Sequence, residues 1–140
     1  IGSFIRLADA FGIEKVIVCG ALTISDKKFK KASRNEAKWV RVEYSDSTTA
    51  SLQTLLDAGY GIYSVELCQA SVDYSQIAYP SSCVLVLGNE RKGVSEAALA
   101  LSHQHIHIPM FGMGNSLNVA TAGAIVIAEC ANQIRKLPQS

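Results

Sequence analysis

The stretch "IPMFGMGNSLNVATAGAIVIAE", residues 108–129, decides how the chain is read. A short apolar segment ends at Pro109, glycines follow at 112 and 114, and Asn115-Ser116-Leu117-Asn118 opens a run that is apolar on every side. Proline and glycine punctuate an element boundary, and Asn or Ser ahead of an apolar run is a helix-start signal. Asn115 or Ser116 is therefore expected to accept from free backbone N–H groups at the start of a helix over about residues 117–136. Capping does not account for the glycine-rich approach or for the further polar residues on the first turn. A small polar ligand against this knuckle does.

Working outward, short β-branched or apolar runs predict strands at residues 16–19, 39–44, 61–65, 83–87 and 105–108. Helical patterns lie among them at 4–11, 47–58, 95–101 and 117–136. Alternation of this kind predicts an α/β fold with a mostly parallel sheet and flanking helices. Ligands of such sheets gather beyond the carboxyl ends of the strands. Two junctions there stand out: "LVLGNERKGVS", which leaves the fourth strand, and the opening stretch, which leaves the fifth.

The rest of the composition narrows the classes. With 140 residues, 49% apolar and 18% charged, the chain is expected to form one globular domain, well away from disorder. The apolar run at 119–128 is too short for a membrane span, and no basic segment with an apolar core opens the chain. A cytoplasmic protein is expected. Cys19, Cys68, Cys83 and Cys130 are widely spaced, without a C-x-x-C pair, and read as reduced core thiols. Net charge is +1, yet residues 26–41 hold Lys27, Lys28, Lys30, Lys31, Arg34, Lys38 and Arg41 against Asp26 and Glu36. This block is either a solvated loop face or a surface for a polyanion.

Familiar nucleotide motifs fail on their own terms. Gly88 and Gly93 have the spacing of a phosphate loop, but Val94-Ser95 stand where Lys-Ser/Thr is required. "GMGNSL" begins like a dinucleotide fingerprint, with Leu117 in place of its third glycine and no later strand to supply the ribose-binding acid. His103, His105 and His107 alternate and would share a strand face, but no carboxylate or cysteine cluster accompanies them, so no metal is expected. Ser116 lacks the G-x-S-x-G context of a hydrolase nucleophile.

Three stretches in order, "IGSFIRLADAFG", "LVLGNERKGVS" and "IPMFGMGNSLNVATAGAIVIAE", together resemble the SpoU-like (TrmH-type) RNA 2′-O-ribose methyltransferases of the SPOUT superfamily. They span nearly the whole chain. The resemblance implies a C-terminal deep trefoil knot, a homodimer, S-adenosylmethionine as cofactor and tRNA or rRNA as substrate. Residue by residue it implies a cofactor pocket of Leu87, Gly88, Asn89, Ile108, Met110, Ser116, Leu117 and Asn118. It further implies a catalytic set of Arg6, Glu90, Ser116 and Asn118. The family's first motif begins with an asparagine just before the position of Ile1, so the domain is expected to be trimmed at its amino terminus.

Under this reading Arg6, Lys27, Lys28, Lys30, Lys31 and Arg34 meet RNA phosphates, which supply much of the affinity in such complexes. Guanidinium stays protonated, with a pKa above ~12, so Arg6 is expected to hold a phosphate and stabilise the developing alkoxide rather than act as base. Two other readings keep the fold: a non-catalytic RNA-binding or assembly module, and a methyltransferase acting on a small molecule.

Overall fold

Strands and helices are interspersed along the chain, as the residue pattern predicts. The computed structural model describes residues 2–19, 40–66, 70–88, 93–112 and 117–137. In order the elements are α1 (Gly2–Ala10), β1 (Lys15–Cys19), β2 (Arg41–Ser45), α2 (Thr48–Asp57), β3 (Gly61–Val65), β4 (Val72–Asp73), a 3-10 turn (Tyr74–Gln76), β5 (Cys83–Leu87), α3 (Glu96–Ala100), β6 (Gln104–His107) and α4 (Val119–Arg135). They fall into two compact units, Ile1–Thr48 and Thr49–Ser140.

In the first unit β1 and β2 run parallel, paired from Lys15↔Arg41 to Cys19↔Ser45. Helix α1 contacts β1. It buries Ile5 and Ala8, one turn apart, and leaves Arg6 exposed. Across the strand pair Lys15 Nζ and Arg41 Nη2 lie 3.2 and 3.5 Å from Glu43 Oε1. Such exposed pairs contribute about 0–1 kcal/mol each.

The second unit is built on a four-stranded, wholly parallel sheet in the order β4-β6-β3-β5. Alternation along the strands sends successive side chains to opposite faces. Ile62, Val84 and Val86 join Leu52 and Leu56 of α2, Ala98 and Leu99 of α3, and Val94 in one core cluster. Tyr63, Val65, Cys83, Leu85 and Ile106 turn the other way and meet Ile77, Tyr79 and, from α4, Val126 and Cys130. Helices therefore cover both faces, as parallel sheets need. Helix α2 ends at Gly59, φ +92°, with Tyr60 N–H donating to Leu55 O at 3.0 Å and Gly59 N–H to Leu56 O at 2.9 Å. That left-handed cap turns the chain at once into the central strand β3.

Helix α4 buries Gly123, Val126, Ile127 and Cys130, a stripe at i, i+3, i+4 and i+7. Gln133 finishes its docking: Oε1 accepts from Tyr79 N–H at 3.1 Å, and Nε2 donates to Ile77 O at 2.9 Å. The hydroxyl of Tyr79 donates to Tyr74 O at 2.7 Å, and burial, with thiols and Glu129 nearby, pushes its pKa well above the ordinary phenol value. Ser64, fully buried on β3, bonds the hydroxyl of Ser102, which donates to Ala98 O. The two thiols Cys83 and Cys130 lie 3.7 Å apart, so β5 and α4 touch there.

Several expectations change in detail. Helix α4 starts at Val119, and Asn118 caps it where Asn115 or Ser116 was expected: Asn118 Oδ1 accepts from Thr121 N–H at 3.1 Å. The cap moved because Asn118 has extended backbone, φ −61° and ψ 148°, immediately before the first helical residue. Cys19 is exposed rather than a core thiol. Strand β4 escaped the sequence patterns, being two residues long and placed by its pairing with β6.

Candidate cofactor-binding site

Register sets which residues share an edge. Val65 of β3 is opposite both Leu87 of β5 and Ile106 of β6, so these three strands finish level. Gly88, Glu66 and His107 therefore stand side by side at this edge, and Ile108 is the first residue beyond β6. Adjacent strands are about 4.8 Å apart, which puts the exits of β5 and β6 roughly 10 Å from each other with Glu66 between them. Leu87 and Ile108 are half-buried at this edge, and Ile108 packs on the cluster around Ile106 and Val126.

The exit of β5 is a narrow neck. A Cβ placed on Gly88 would lie 2.1 Å from Gly93 C and 2.3 Å from Val94 N. No side chain fits there, so the departing and returning chain touch through backbone alone. Gly93 has φ +66°, a conformation that favours glycine, and a Cβ on it would lie 2.6 Å from Glu66 Oε2. That carboxylate accepts from Val94 N–H at 2.7 Å. The neck is held by one acid and two glycines.

Helix α4 brings Leu117 and Asn118 toward the same end of the sheet. Cys130 meets Cys83 at the amino end of β5, and the helix rises about 16 Å between Cys130 and Val119. Strand β5 covers about 13 Å from Cys83 to Leu87. A helix entered from β6 and reaching the foot of β5 at Cys130 thus begins near the strands' carboxyl ends. Asn118 is exposed there, its Oδ1 engaged in capping, so its NH₂ group is what it presents outward. Met110 and Phe111 on the intervening loop are exposed, Phe111 almost completely at 96%.

Leu87, Gly88 and Ile108 of the expected set stand at the ends of β5 and β6, Leu117 and Asn118 immediately precede α4, and Met110 is on the loop between β6 and α4. Arg6 lies exposed on α1 in the other unit. Asn89, Glu90, Ser116, Lys27, Lys28, Lys30, Lys31 and Arg34 lie outside the described residues. The histidines part company: His103 Nδ1 accepts from Ile62 N–H at 2.9 Å, His105 Nε2 donates to Leu99 O at 3.0 Å, and His107 Nδ1 bonds the Ser71 hydroxyl at 2.9 Å. Among the described residues no group of three His, Cys, Asp or Glu gathers to hold a metal. Sequence reasoning passed over Glu66. Its signal was positional, an acid just past the carboxyl end of "GIYSV" in the central strand.

The chain has counterparts in sequence and fold. The family model of the SpoU rRNA Methylase family matches residues 1–128. The chain belongs to the SpoU rRNA methylase family. Among its relatives, a tRNA (guanosine(18)-2′-O)-methyltransferase of Aquifex aeolicus is 31% identical over 131 residues, covering 94% of this chain and 62% of that protein. The crystal structure of the A. aeolicus TrmH/SpoU tRNA modifying enzyme superposes with a TM-score of 0.84 at 30% identity, covering 96% of this chain and 68% of that one. A second SpoU methyltransferase, AviRb from Streptomyces viridochromogenes in complex with the cofactor AdoMet, gives a TM-score of 0.78 at 28% identity over 94% of this chain and 54% of that one. This SpoU chain thus spans about three fifths of the length of the curated relative from Aquifex.

Proposed function

We propose that this SpoU-family chain transfers a methyl group from S-adenosylmethionine to a ribose 2′-hydroxyl of tRNA or rRNA in the cytoplasm. The observation that carries the reading is the level edge of β5, β3 and β6, with its glycine-only neck, in a chain of this family. The residues fit an adenosine-bearing cofactor: Leu87 and Ile108 offer apolar walls, and backbone groups leaving the sheet at Gly88 offer polar contacts. The cofactor, when bound, supplies an activated sulfonium methyl.

The chain's own residues have the remaining tasks. Leu87, Gly88, Ile108, Met110, Leu117 and Asn118 would hold the cofactor, joined by Asn89 and Ser116, and positioning alone can supply a large share of the acceleration. Asn118 donates through its NH₂ group while its oxygen caps α4. Arg6 holds the phosphate beside the target ribose and stabilises the charge that develops on the 2′-oxygen, and its proton stays in place. The hydroxyl proton leaves to phosphate or water, and Glu90 would orient Arg6 or the knotted loop. No step calls on a metal.

The knot and the two-fold pairing belong to the same proposal, with residues 1–140 acting as one domain. In α4, residues outside the buried stripe are mostly half-buried and apolar, which suits a second surface against them. Labelled methyl transfer from S-adenosylmethionine to separate tRNA and rRNA pools, followed by alkaline hydrolysis, tests the reading. Label in an alkali-resistant dinucleotide is expected. Folded protein that binds RNA and leaves both pools unlabelled would support the non-catalytic module instead.

A further inference from the structure

Glu66 is held on both sides. Its backbone N–H donates to Ile106 O at 2.9 Å, fixing it to β6. Its side chain crosses toward the β5 neck and accepts from Val94 N–H at 2.7 Å. The carboxylate also fills the space where a side chain on residue 93 would stand. A charge-assisted bond of this length is about twice as strong as a neutral one, and here it ties the end of β3 to the segment returning after β5.

We propose that Glu66 is a positioning residue: by gripping Val94 N–H it sets the width of the Gly88–Val94 neck and so the shape of the cofactor wall at Leu87 and Gly88. This rests on the cofactor site proposed above. Without the grip the returning chain is free to swing off Gly88, since two glycines impose little stiffness of their own. Glu66 acts through the loop and need not touch the reacting atoms.

The test pairs two readouts on the intact chain: amide exchange at Val94 without cofactor, and S-adenosylmethionine affinity by calorimetry. Glu66→Ala is expected to speed exchange at Val94 and to weaken cofactor binding about tenfold, the scale of one lost hydrogen bond to a charged group. Amides of α4 such as Val126 should keep their protection, showing that the fold survives. Glu66→Gln keeps an acceptor of the same reach and is expected to restore both values to within about threefold of the parent. Unchanged exchange and affinity in Glu66→Ala would overturn the proposal. So would Glu66→Gln binding as poorly as Glu66→Ala with Val94 still protected, which would assign the effect to charge. A parent that shows the Val94 grip and yet binds no S-adenosylmethionine would remove the cofactor site and the positioning role with it, leaving only a structural bond.

Discussion

At the scale of single residues, three positions carry separable expectations. Asn118 caps α4 and is also assigned a donor role toward the cofactor. Asn118→Ala should cost about 1 kcal/mol by urea unfolding, the usual value of a cap. Asn118→Asp should keep the cap and lose the NH₂ donor, so stability returns while methyl transfer does not. Gly88→Ala needs room that the neck lacks, with the new carbon only 2.1 Å from Gly93 C. It should weaken S-adenosylmethionine binding by about tenfold or more, measured by calorimetry, as the loop shifts to relieve a clash of the 1–3 kcal/mol class. Arg6→Lys should lower kcat by about tenfold or more, because an ammonium lacks the planar fork that grips phosphate. The pH–rate profile should keep its shape, and a displaced limb would instead make Arg6 the titrating base.

At the scale of elements, α4 is fixed at both ends by polar contacts and along its length by an apolar stripe. Gln133 satisfies two backbone groups of the segment before β5, one donor and one acceptor. Gln133→Ala strands Tyr79 N–H and Ile77 O, and should cost about 1–3 kcal/mol by chemical denaturation. Gln133→Glu keeps the acceptor for Tyr79 and loses the donor to Ile77, so it should fall between parent and alanine variant. The element boundaries show where pattern reading works. The α2 and β3 limits agree with the periodicity to within a residue, because Gly59 and Gly61 punctuate them. The cap of α4 does not, because Asn115, Ser116 and Asn118 are all good caps by type, and only backbone geometry picks Asn118.

At the scale of the whole molecule, charge is distributed so that one segment of the chain is strongly basic while the total stays near zero. Reversing Lys27, Lys28, Lys30 and Lys31 to Glu should weaken RNA binding and flatten its dependence on salt, since each lost phosphate contact lowers the slope by about one. Titration at several salt concentrations measures both. Unchanged slopes would return the block to a solvated face. Among the described residues no helix is long and apolar enough to cross a membrane.

The sequence by itself determined the alternation of strands and helices, and from it the parallel α/β class, since period-two and period-3.6 patterns are local properties of the chain. Three ordered motifs also carried the family resemblance that the comparisons bear out. Tertiary structure alone decided the strand order β4-β6-β3-β5 and the level ends of β5, β3 and β6. It alone sent the three histidines to three separate partners, where spacing had put them on one face. It alone set Glu66 against Val94, 28 positions away in the chain. Such pairings depend on which strands become neighbours, and that is settled by long-range packing rather than by any window of sequence.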